Sequence, residues 1–221
     1  MVILGMDTST HAASVACMKD GEIIGEMTIN NKRTHSEKLM PMIDQVLEMA
    51  QITPDMIDCV AVGHGPGSFT GLRIGVTTAK ALAHGWGCPV VEVSSLEVLA
   101  KKVGGYKHVC SMMDARRDTV FTGIYGQKGM EACQMHIDDL LNHCKIYDEI
   151  AFIGDGAYKH ADKISSILGE KAFIQARYMN HLSASQVCQL ALDQMNEKAY
   201  DQVGVLYLNK TEAERNYEES R

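Results

Sequence analysis

Two short segments of the sequence carry residue types that could bind a phosphate group. Asp7-Thr8-Ser9-Thr10 follows an apolar run, and a carboxylate with hydroxyls at a strand end could face a phosphate and its Mg²⁺. Residues 65–75 are rich in glycine, and a glycine-rich turn that leads into a helix offers backbone N–H groups to anions. The predicted phosphate-facing residues are Asp7, Thr8, Ser9, Gly65, Gly67 and Ser68. The alternative is a pair of ordinary tight turns, because the spacing matches neither a Rossmann fingerprint nor a P-loop.

The spacing of histidine and cysteine argues against a metal site. No two of the nine histidines are closer than seven residues, so the sequence has no H-x-x-x-H pair. The seven cysteines include no C-x-x-C pair, and their odd number argues against a disulfide framework. No Ser/His/Asp, Cys/His or paired-carboxylate arrangement can be assigned from spacing. We therefore predict no catalytic residue and no metal in this chain, and we expect the cysteines to be buried free thiols.

Composition and charge narrow the class of protein. The chain has 221 residues, of which 46% are hydrophobic and 22% charged, and both values are ordinary for a globular protein. Its formal net charge of -7 argues against a stand-alone nucleic-acid-binding protein, because phosphate contacts need clustered Lys and Arg. No apolar run reaches the roughly 20 residues of a membrane span, and the first residues lack the pattern of a signal peptide. We therefore expect a cytoplasmic protein that does not bind a membrane.

The pattern of apolar runs and turn residues predicts an α/β protein. Alternating or continuous apolar runs predict strands, and a 3.6-residue period predicts helices. The predicted strands are residues 2–6, 12–18, 22–28, 59–63, 89–92, 109–114, 119–125 and 151–154, and the predicted helices are residues 36–50, 72–85, 96–102, 158–168 and 183–197. This order suits a mixed sheet covered by helices. The glycine pair at 104–105 predicts a boundary between an N-terminal lobe, residues 1–103, and a C-terminal lobe, residues 104–221.

Two of the predicted helices carry more apolar surface than docking on one sheet requires. The apolar residues of 36–50 span an arc of about 180° on a helical wheel, whereas a surface helix needs only about 100°. The polar residues of 72–84 crowd into about 60°, so a second neighbour must contact this helix. That neighbour is either another part of the chain or a partner protein. The partner-interface residues predicted on this basis are Leu39, Met40, Ile43, Leu47, Leu72, Gly75, Val76, Ala79, Leu82 and Ala83.

The glycine-rich segment also contains a long and specific motif. It is the contiguous run Gly65-Pro66-Gly67-Ser68-Phe69-Thr70-Gly71-Leu72-Arg73-Ile74-Gly75. Shorter motifs accompany it in order: Leu4-Gly5-Met6-Asp7-Thr8-Ser9-Thr10, His35-Ser36-Glu37, Ser94-Ser95-Leu96-Glu97, Asp114-Ala115-Arg116, Tyr207-Leu208 and Glu212-Ala213-Glu214. In this series the chain resembles the TsaB family, also called YeaZ, over nearly its whole length. One departure is Asn209, where the family often has arginine after Tyr-Leu.

This resemblance implies both a fold and a role. The fold is that of actin, Hsp70 and sugar kinases, with two similar α/β lobes of which the second is reduced here. The role is that of a non-catalytic, essential subunit in the bacterial synthesis of N6-threonylcarbamoyladenosine (t6A) on tRNA. A larger TsaD-type paralogue carries the metal and transfers the threonylcarbamoyl group to the adenosine beside the anticodon.

The resemblance also implies how the chain assembles. Family members pair with the TsaD-type subunit through a helix bundle of the first lobe, and they form homodimers by the same surface. A TsaE-type ATPase joins the complex. ATP, Mg²⁺ and metal are therefore expected on the partner subunits, with no cofactor on this chain, and tRNA is expected to be contacted indirectly.

Two other functions remain as alternatives at this point. One is a stand-alone phosphotransferase of the actin and sugar-kinase superfamily, with Asp7 as a Mg²⁺ ligand. The other is a metallopeptidase, after an old naming of the superfamily, although no paired-histidine motif supports it.

Overall fold

The computed structural model describes residues 1–31 and 34–208, which form eleven β-strands and seven α-helices. The strands are β1 (Val2–Asp7), β2 (Ala13–Lys19), β3 (Glu22–Ile29), β4 (Cys59–Gly65), β5 (Val90–Ser94), β6 (His108–Asp114), β7 (Thr119–Gly126), β8 (Met130–His136), β9 (Ile150–Ile153), β10 (Ala172–Ile174) and β11 (Glu197–Lys198). The α-helices are α1 (His35–Ala50), α2 (Phe69–Trp86), α3 (Ser95–Lys101), α4 (Ile137–Cys144), α5 (Asp155–Lys159), α6 (Ala161–Leu168) and α7 (Ala184–Gln194).

The strands form two mixed sheets with the same topology. In the first sheet the order is β11-β5-β4-β1-β2-β3, where β1, β2 and β3 form an antiparallel meander and β1, β4 and β5 run parallel. In the second sheet the order is β10-β9-β6-β7-β8, where β6, β7 and β8 form the meander and β6, β9 and β10 run parallel. The two lobes are therefore structural repeats, and the second lobe has one strand fewer.

The first sheet is covered on both faces, which explains why β1 is an unbroken apolar run. α1 and α2 pack on one face of this sheet, and α7 packs on the other. Every residue of β1 is buried, as expected for a strand whose two faces are both covered by helices. The run ends at Asp7, so the carboxylate lies at the edge where β1 gives way to the loop into β2.

α1 confirms the predicted helix within one residue. Its inward face carries the buried apolar residues Leu39, Met42, Ile43, Val46 and Leu47. Lys38 is buried as well, including its Nζ. The helix ends where Gln51 adopts the left-handed conformation, and the amide of that residue bonds back to the last turn.

α2 begins three residues earlier than the sequence predicts. Ser68 is its N-cap, with its side chain accepting a hydrogen bond of 3.4 Å from the Gly71 amide. The sequence pattern assigns Gly71 to the glycine-rich turn and predicts the helix from residue 72, but this glycine lies in the first helical turn. The helix ends at Gly87, which has a positive φ and is therefore a favourable C-terminal residue.

The second half of the chain differs more from the prediction. The predicted helix 158–168 is two helices, α5 and α6, which meet at His160. Strand β8, helix α4 and strand β10 are not predicted by the sequence pattern. Among helices in the described ranges, none is long and apolar enough to cross a bilayer.

The chain returns to the first lobe near its C-terminus. The second sheet begins at His108, shortly after the boundary predicted at residue 103. However, α7 packs on β1 and β2, and β11 pairs antiparallel with β5. The first lobe is therefore built from both ends of the chain, whereas the predicted division assigns everything after residue 103 to the second lobe.

Candidate functional site

The carboxylate of Asp7 lies in a closed network at the end of β1. Asp7 is 1% exposed. Its Oδ1 accepts hydrogen bonds from the amide and the hydroxyl of Ser9, both at 2.7 Å, and its Oδ2 accepts one from Ser95 at 3.2 Å. Burial raises the pKa of Asp7, and the hydrogen bonds from Ser9 and Ser95 partly oppose that shift.

The glycines of residues 65–75 let α2 and its preceding turn approach the 7–9 loop at backbone contact. A Cβ at Gly71 would lie 2.1 Å from the carbonyl oxygen of Thr8, and one at Gly67 would lie 2.4 Å from that of Ser9. The amide of Ser68 donates to the Ser9 carbonyl at 2.7 Å. Glycine is therefore required here for close packing of backbone on backbone.

The structure brings the predicted phosphate-facing residues together, but their polar groups pair with one another. Thr8 is buried, and its hydroxyl donates to the Gly71 carbonyl at 2.7 Å. Ser9 holds Asp7, and Ser68 caps α2. Gly65 lies close to residues 200–208 near the C-terminus: a Cβ at Gly65 would be 2.6 Å from the carbonyl oxygen of Leu206. The arrangement is a packed joint between β1 and α2 that holds the first lobe together.

The corresponding turn of the second lobe is open and charged. Asp114 ends β6, and its Oδ1 accepts hydrogen bonds from the Arg116 amide at 3.0 Å and from Lys159 Nζ at 2.8 Å. The Asp114 amide in turn donates to Asp155 at 3.0 Å. Partial burial acts to raise the pKa of Asp114. The hydrogen bonds from Lys159 and from the Arg116 amide outweigh this effect, and the pKa is lowered.

Most of the predicted partner-interface residues are part of the chain's own core. The buried ones are Leu39, Ile43, Leu47, Leu72, Gly75, Val76, Ala79 and Ala83. Leu82 is half-buried, and Met40 is exposed. The buried eight cannot form the surface that a partner touches, because the sheet and the neighbouring elements already cover the wide apolar arcs.

The second neighbour of α2 is the C-terminal segment, residues 200–208. Lys80 donates to the Val203 carbonyl at 3.0 Å, and the Leu206 amide donates to the His64 carbonyl at 2.8 Å. The rings of Tyr200 and His84 contact each other at a tilt of 43°, with centroids 4.4 Å apart. This segment covers the helix face that the sequence analysis left to another chain element or to a partner.

Apolar surface remains exposed on both helices. On α1, Met40 is 41% and Met49 is 78% exposed. At the start of α2, Arg73 lies 3.8 Å above the ring of Phe69 and donates to the Tyr207 hydroxyl at 3.1 Å. Sequence reasoning missed this cluster of Phe69, Arg73 and Tyr207. A local pattern could have pointed to Phe69, but no sequence signal joins Arg73 to a tyrosine 134 residues away.

Two predictions from the sequence, on metal ligands and on the C-terminal motif, remain to be located. No group of three or more His, Cys, Asp or Glu that could hold a metal occurs in residues 1–31 and 34–208. The departure at Asn209, the Glu212-Ala213-Glu214 motif and the charged tail lie outside the described residues.

Comparison with known proteins gives a consistent result. A family model described as "TsaD: tRNA N6-adenosine threonylcarbamoyltransferase" matches residues 22–217. A Bacillus subtilis protein named tRNA threonylcarbamoyladenosine biosynthesis protein TsaB is 33% identical over 231 residues, which cover 100% of both chains. The structure of YeaZ from Pseudomonas aeruginosa is 26% identical, with a TM-score of 0.76 over 94% of this chain and 99% of that chain.

A more distant structure extends the likeness in fold alone. Component A of the (R)-2-hydroxyglutaryl-CoA dehydratase from Acidaminococcus fermentans is 12% identical, with a TM-score of 0.53 over 88% of this chain and 98% of that chain. The predicted α/β fold with two similar lobes, the second reduced, is confirmed by the repeated sheet topology and these neighbours.

Proposed function

Because the chain belongs to the TsaB family, also called YeaZ, we propose that it acts in t6A synthesis as a non-catalytic subunit. It binds and activates a TsaD-type transferase, which modifies the adenosine beside the anticodon of tRNA. The observation that carries this proposal is the 33% identity to the Bacillus subtilis TsaB protein over the full length of both chains.

The packed joint at the end of β1 supports a non-catalytic role. In the phosphotransferase alternative, Asp7 would hold Mg²⁺ and the neighbouring hydroxyls would face a phosphate. Here Asp7 is buried and accepts hydrogen bonds from Ser9 and Ser95, and Thr8 donates to the Gly71 carbonyl. A nucleotide at this position would have to displace hydrogen bonds that also hold α2 against β1. We therefore assign ATP, Mg²⁺ and the metal to the partner subunits.

The exposed apolar surface of the first lobe is the proposed contact with the TsaD-type subunit. Met40 and Met49 project from α1, and methionine side chains adapt readily to a partner surface. Phe69 lies at the start of α2 and is 44% exposed. Pairing of α1 and α2 with two helices of a related partner would bury the exposed apolar side chains on the contact side in a four-helix arrangement.

The remaining assembly follows from the same proposal. The isolated chain forms a homodimer by the same surface of α1 and α2, so partner and second copy compete for it. A TsaE-type ATPase joins the complex in the cytoplasm. The partner supplies most of the contact with tRNA, in keeping with the net charge of -7 of this chain.

A reconstituted modification assay tests the proposal. TsaC-, TsaD- and TsaE-type proteins are incubated with tRNA, ATP, threonine and bicarbonate, with and without this chain, and t6A is measured by mass spectrometry of digested tRNA. We expect loss of product when the chain is omitted. Met40 and Met49 are nine residues apart and lie on opposite sides of α1, so Met40→Glu and Met49→Glu are made separately. Both should fold normally, and the variant on the contact side should support less product at a limiting concentration, since it places a charge in the contact.

Two controls make the assay specific. Ile146→Glu changes an apolar residue of the second lobe whose exposure lies between those of Met40 and Met49, and it should leave product formation unchanged. Ile43→Glu should unfold the chain, because Ile43 is 1% exposed within its own core. Undiminished product without the chain would overturn the proposal. Tight ATP binding by the isolated chain that Asp7→Ala abolishes would favour the phosphotransferase instead.

A further inference from the structure

The arginines of this acidic chain are concentrated at one end of the second lobe. Four arginines lie in the described ranges, and three of them, Arg116, Arg117 and Arg177, belong to this end. Their residues are exposed, and no ion pair joins any of the three to a described carboxylate. Three unpaired guanidinium groups in one area stand out in a chain whose net charge is -7.

Contacts with α5 bring together the two segments that carry these arginines. Asp114 Oδ1 accepts from both the Arg116 amide and Lys159 Nζ, which brings the turn between β6 and β7 against α5. The guanidinium of Arg177 lies 4.8 Å above the ring of Tyr158. We call this surface the arginine–tyrosine patch, and its members are Arg116, Arg117, Tyr158, Lys159, Arg177 and Tyr178.

Two tyrosine rings of the patch are open to solvent. Tyr158 is 49% exposed and Tyr178 is 78% exposed. Exposed rings beside guanidinium groups are the combination with which proteins hold unpaired nucleotides, because bases stack on the rings and phosphates pair with the cations. An acidic peptide would need the cations but would leave two large rings uncovered.

The turn that carries Arg116 and Arg117 is held in a fixed conformation. Arg116, Arg117 and Asp118 all have positive φ, with values of 68°, 48° and 56°. The turn is closed by the Thr119 amide and hydroxyl, which donate to the Arg116 carbonyl at 2.9 Å and 2.7 Å. The ordering of this turn therefore costs little when a ligand binds.

Four carboxylates lie among or beside these cations, and one of them, Asp138, pairs with a lysine outside the patch. Asp114 pairs with Lys159, and Asp155 accepts the Asp114 amide. Asp118 is exposed. The pairing of Asp114 with Lys159 leaves the three arginines to face a ligand.

We propose that the arginine–tyrosine patch binds an unpaired segment of RNA, with phosphates on Arg116, Arg117 and Arg177 and a base on Tyr178. The identity of the RNA rests on the proposed function, since a t6A complex must hold tRNA near its anticodon loop. The patch gives this chain a direct contact with tRNA in addition to the contact that the partner makes.

Binding of a fluorescein-labelled anticodon stem–loop RNA, followed by fluorescence anisotropy at several salt concentrations, tests the proposal. Arg177→Glu should weaken binding by about five- to ten-fold at low salt and should reduce the slope of log K against log salt by about 0.7. Tyr178→Ala should weaken binding at least about five-fold with little change in that slope. The matched control is Lys107→Glu, an exposed charge reversal just before β6, at the opposite end of that strand from Asp114.

The outcomes separate the patch from the proposed function. The proposal is overturned if Arg177→Glu and Lys107→Glu bind the RNA equally, or if ATP displaces the RNA at equal phosphate concentration. If the isolated chain binds the RNA too weakly to measure, the same titration is made with its complex with the TsaD-type subunit. RNA binding by that complex that is unchanged by Arg177→Glu overturns the proposal. If t6A synthesis does not need the chain but its RNA binding depends on Arg177, the proposed function is refuted and the RNA-binding role of the arginine–tyrosine patch is retained.

Discussion

The two lobes place an aspartate at the same point of the same topology, yet in opposite surroundings. Asp7 ends β1, Asp114 ends β6, and each strand turns back into an antiparallel neighbour. Burial raises the pKa of Asp7, whereas the pKa of Asp114 is lowered by Lys159 and the Arg116 amide against the effect of partial burial. Asp7 thus holds its own chain together, and Asp114 remains at the surface.

The helices that follow show the same contrast. In the first lobe, α1 and α2 have 16 and 18 residues, and glycines press α2 against the 7–9 loop. In the second lobe, α4 has 8 residues, and the counterpart of α2 is broken into helices of 5 and 8 residues. In the first lobe the loop after β1 is packed against α2. In the second lobe the turn between β6 and β7 is accessible, and its arginines form no ion pair with a described carboxylate. Topology alone therefore does not decide which of two related turns is available to a ligand.

The largest expected effect concerns the close packing of the first lobe. Gly71→Ala should destabilise the chain by about 3 kcal/mol, because its Cβ would overlap the Thr8 carbonyl oxygen at 2.1 Å. Gly85→Ala, in the same helix, has nothing within 4 Å of its Cβ and should stabilise it by about 0.5–1 kcal/mol. Urea unfolding measures both. Equal effects of the two substitutions would show that the 7–9 loop does not depend on the close approach of α2.

The second effect tests the surroundings of Asp7 by pH. Because the folded-state pKa of Asp7 is raised, its contribution to stability is present below its ordinary value of 3.8 and is lost as pH rises through the folded value. Asp7→Asn keeps one acceptor oxygen for Ser9, places an amide donor opposite the Ser95 hydroxyl, which can rotate to accept, and removes this titration. The free energy of unfolding of the variant, relative to the unmodified chain, should therefore increase from pH 4 to pH 8. A relative decrease would mean that the hydrogen bonds from Ser9 and Ser95 outweigh burial, and the contrast with Asp114 would disappear.

Sequence patterns predict the first lobe better than the second for a physical reason. β1, β2 and β4 are buried on both faces, so their apolar runs are continuous and their limits are confirmed within two residues. β8 lies at an edge of the second sheet and is only partly buried, so it lacks a clear alternation. β11 has two residues and exists because it pairs with β5, more than a hundred residues away along the chain.

The candidate surfaces show the same limit. Both predicted helices have wide apolar faces, but no sequence pattern indicates that residues 200–208 cover α2. The glycine-rich motif left close backbone packing and phosphate binding both open, and only the fold shows how closely Gly67 and Gly71 approach the 7–9 loop. The patch of the second lobe joins Tyr158 to Arg177 through a fold-dependent contact. Local patterns define elements, whereas surfaces depend on which distant elements meet.

The smallest expected effect completes the comparison between the two aspartates. The pair between Asp114 and Lys159 is partly exposed, so Asp114→Asn should cost only about 0.2–1 kcal/mol at neutral pH. Because the folded-state pKa of Asp114 is lowered, the stability it contributes is present above its ordinary value of 3.8 and is lost as pH falls. The loss caused by Asp114→Asn should thus shrink below pH 4, opposite in sign to the trend at Asp7, in the same urea titrations. High salt should shrink it as well, because an exposed pair is screened. If the stability loss caused by Asp114→Asn instead grows at acidic pH, the folded state favours the protonated form of Asp114, as it does for Asp7.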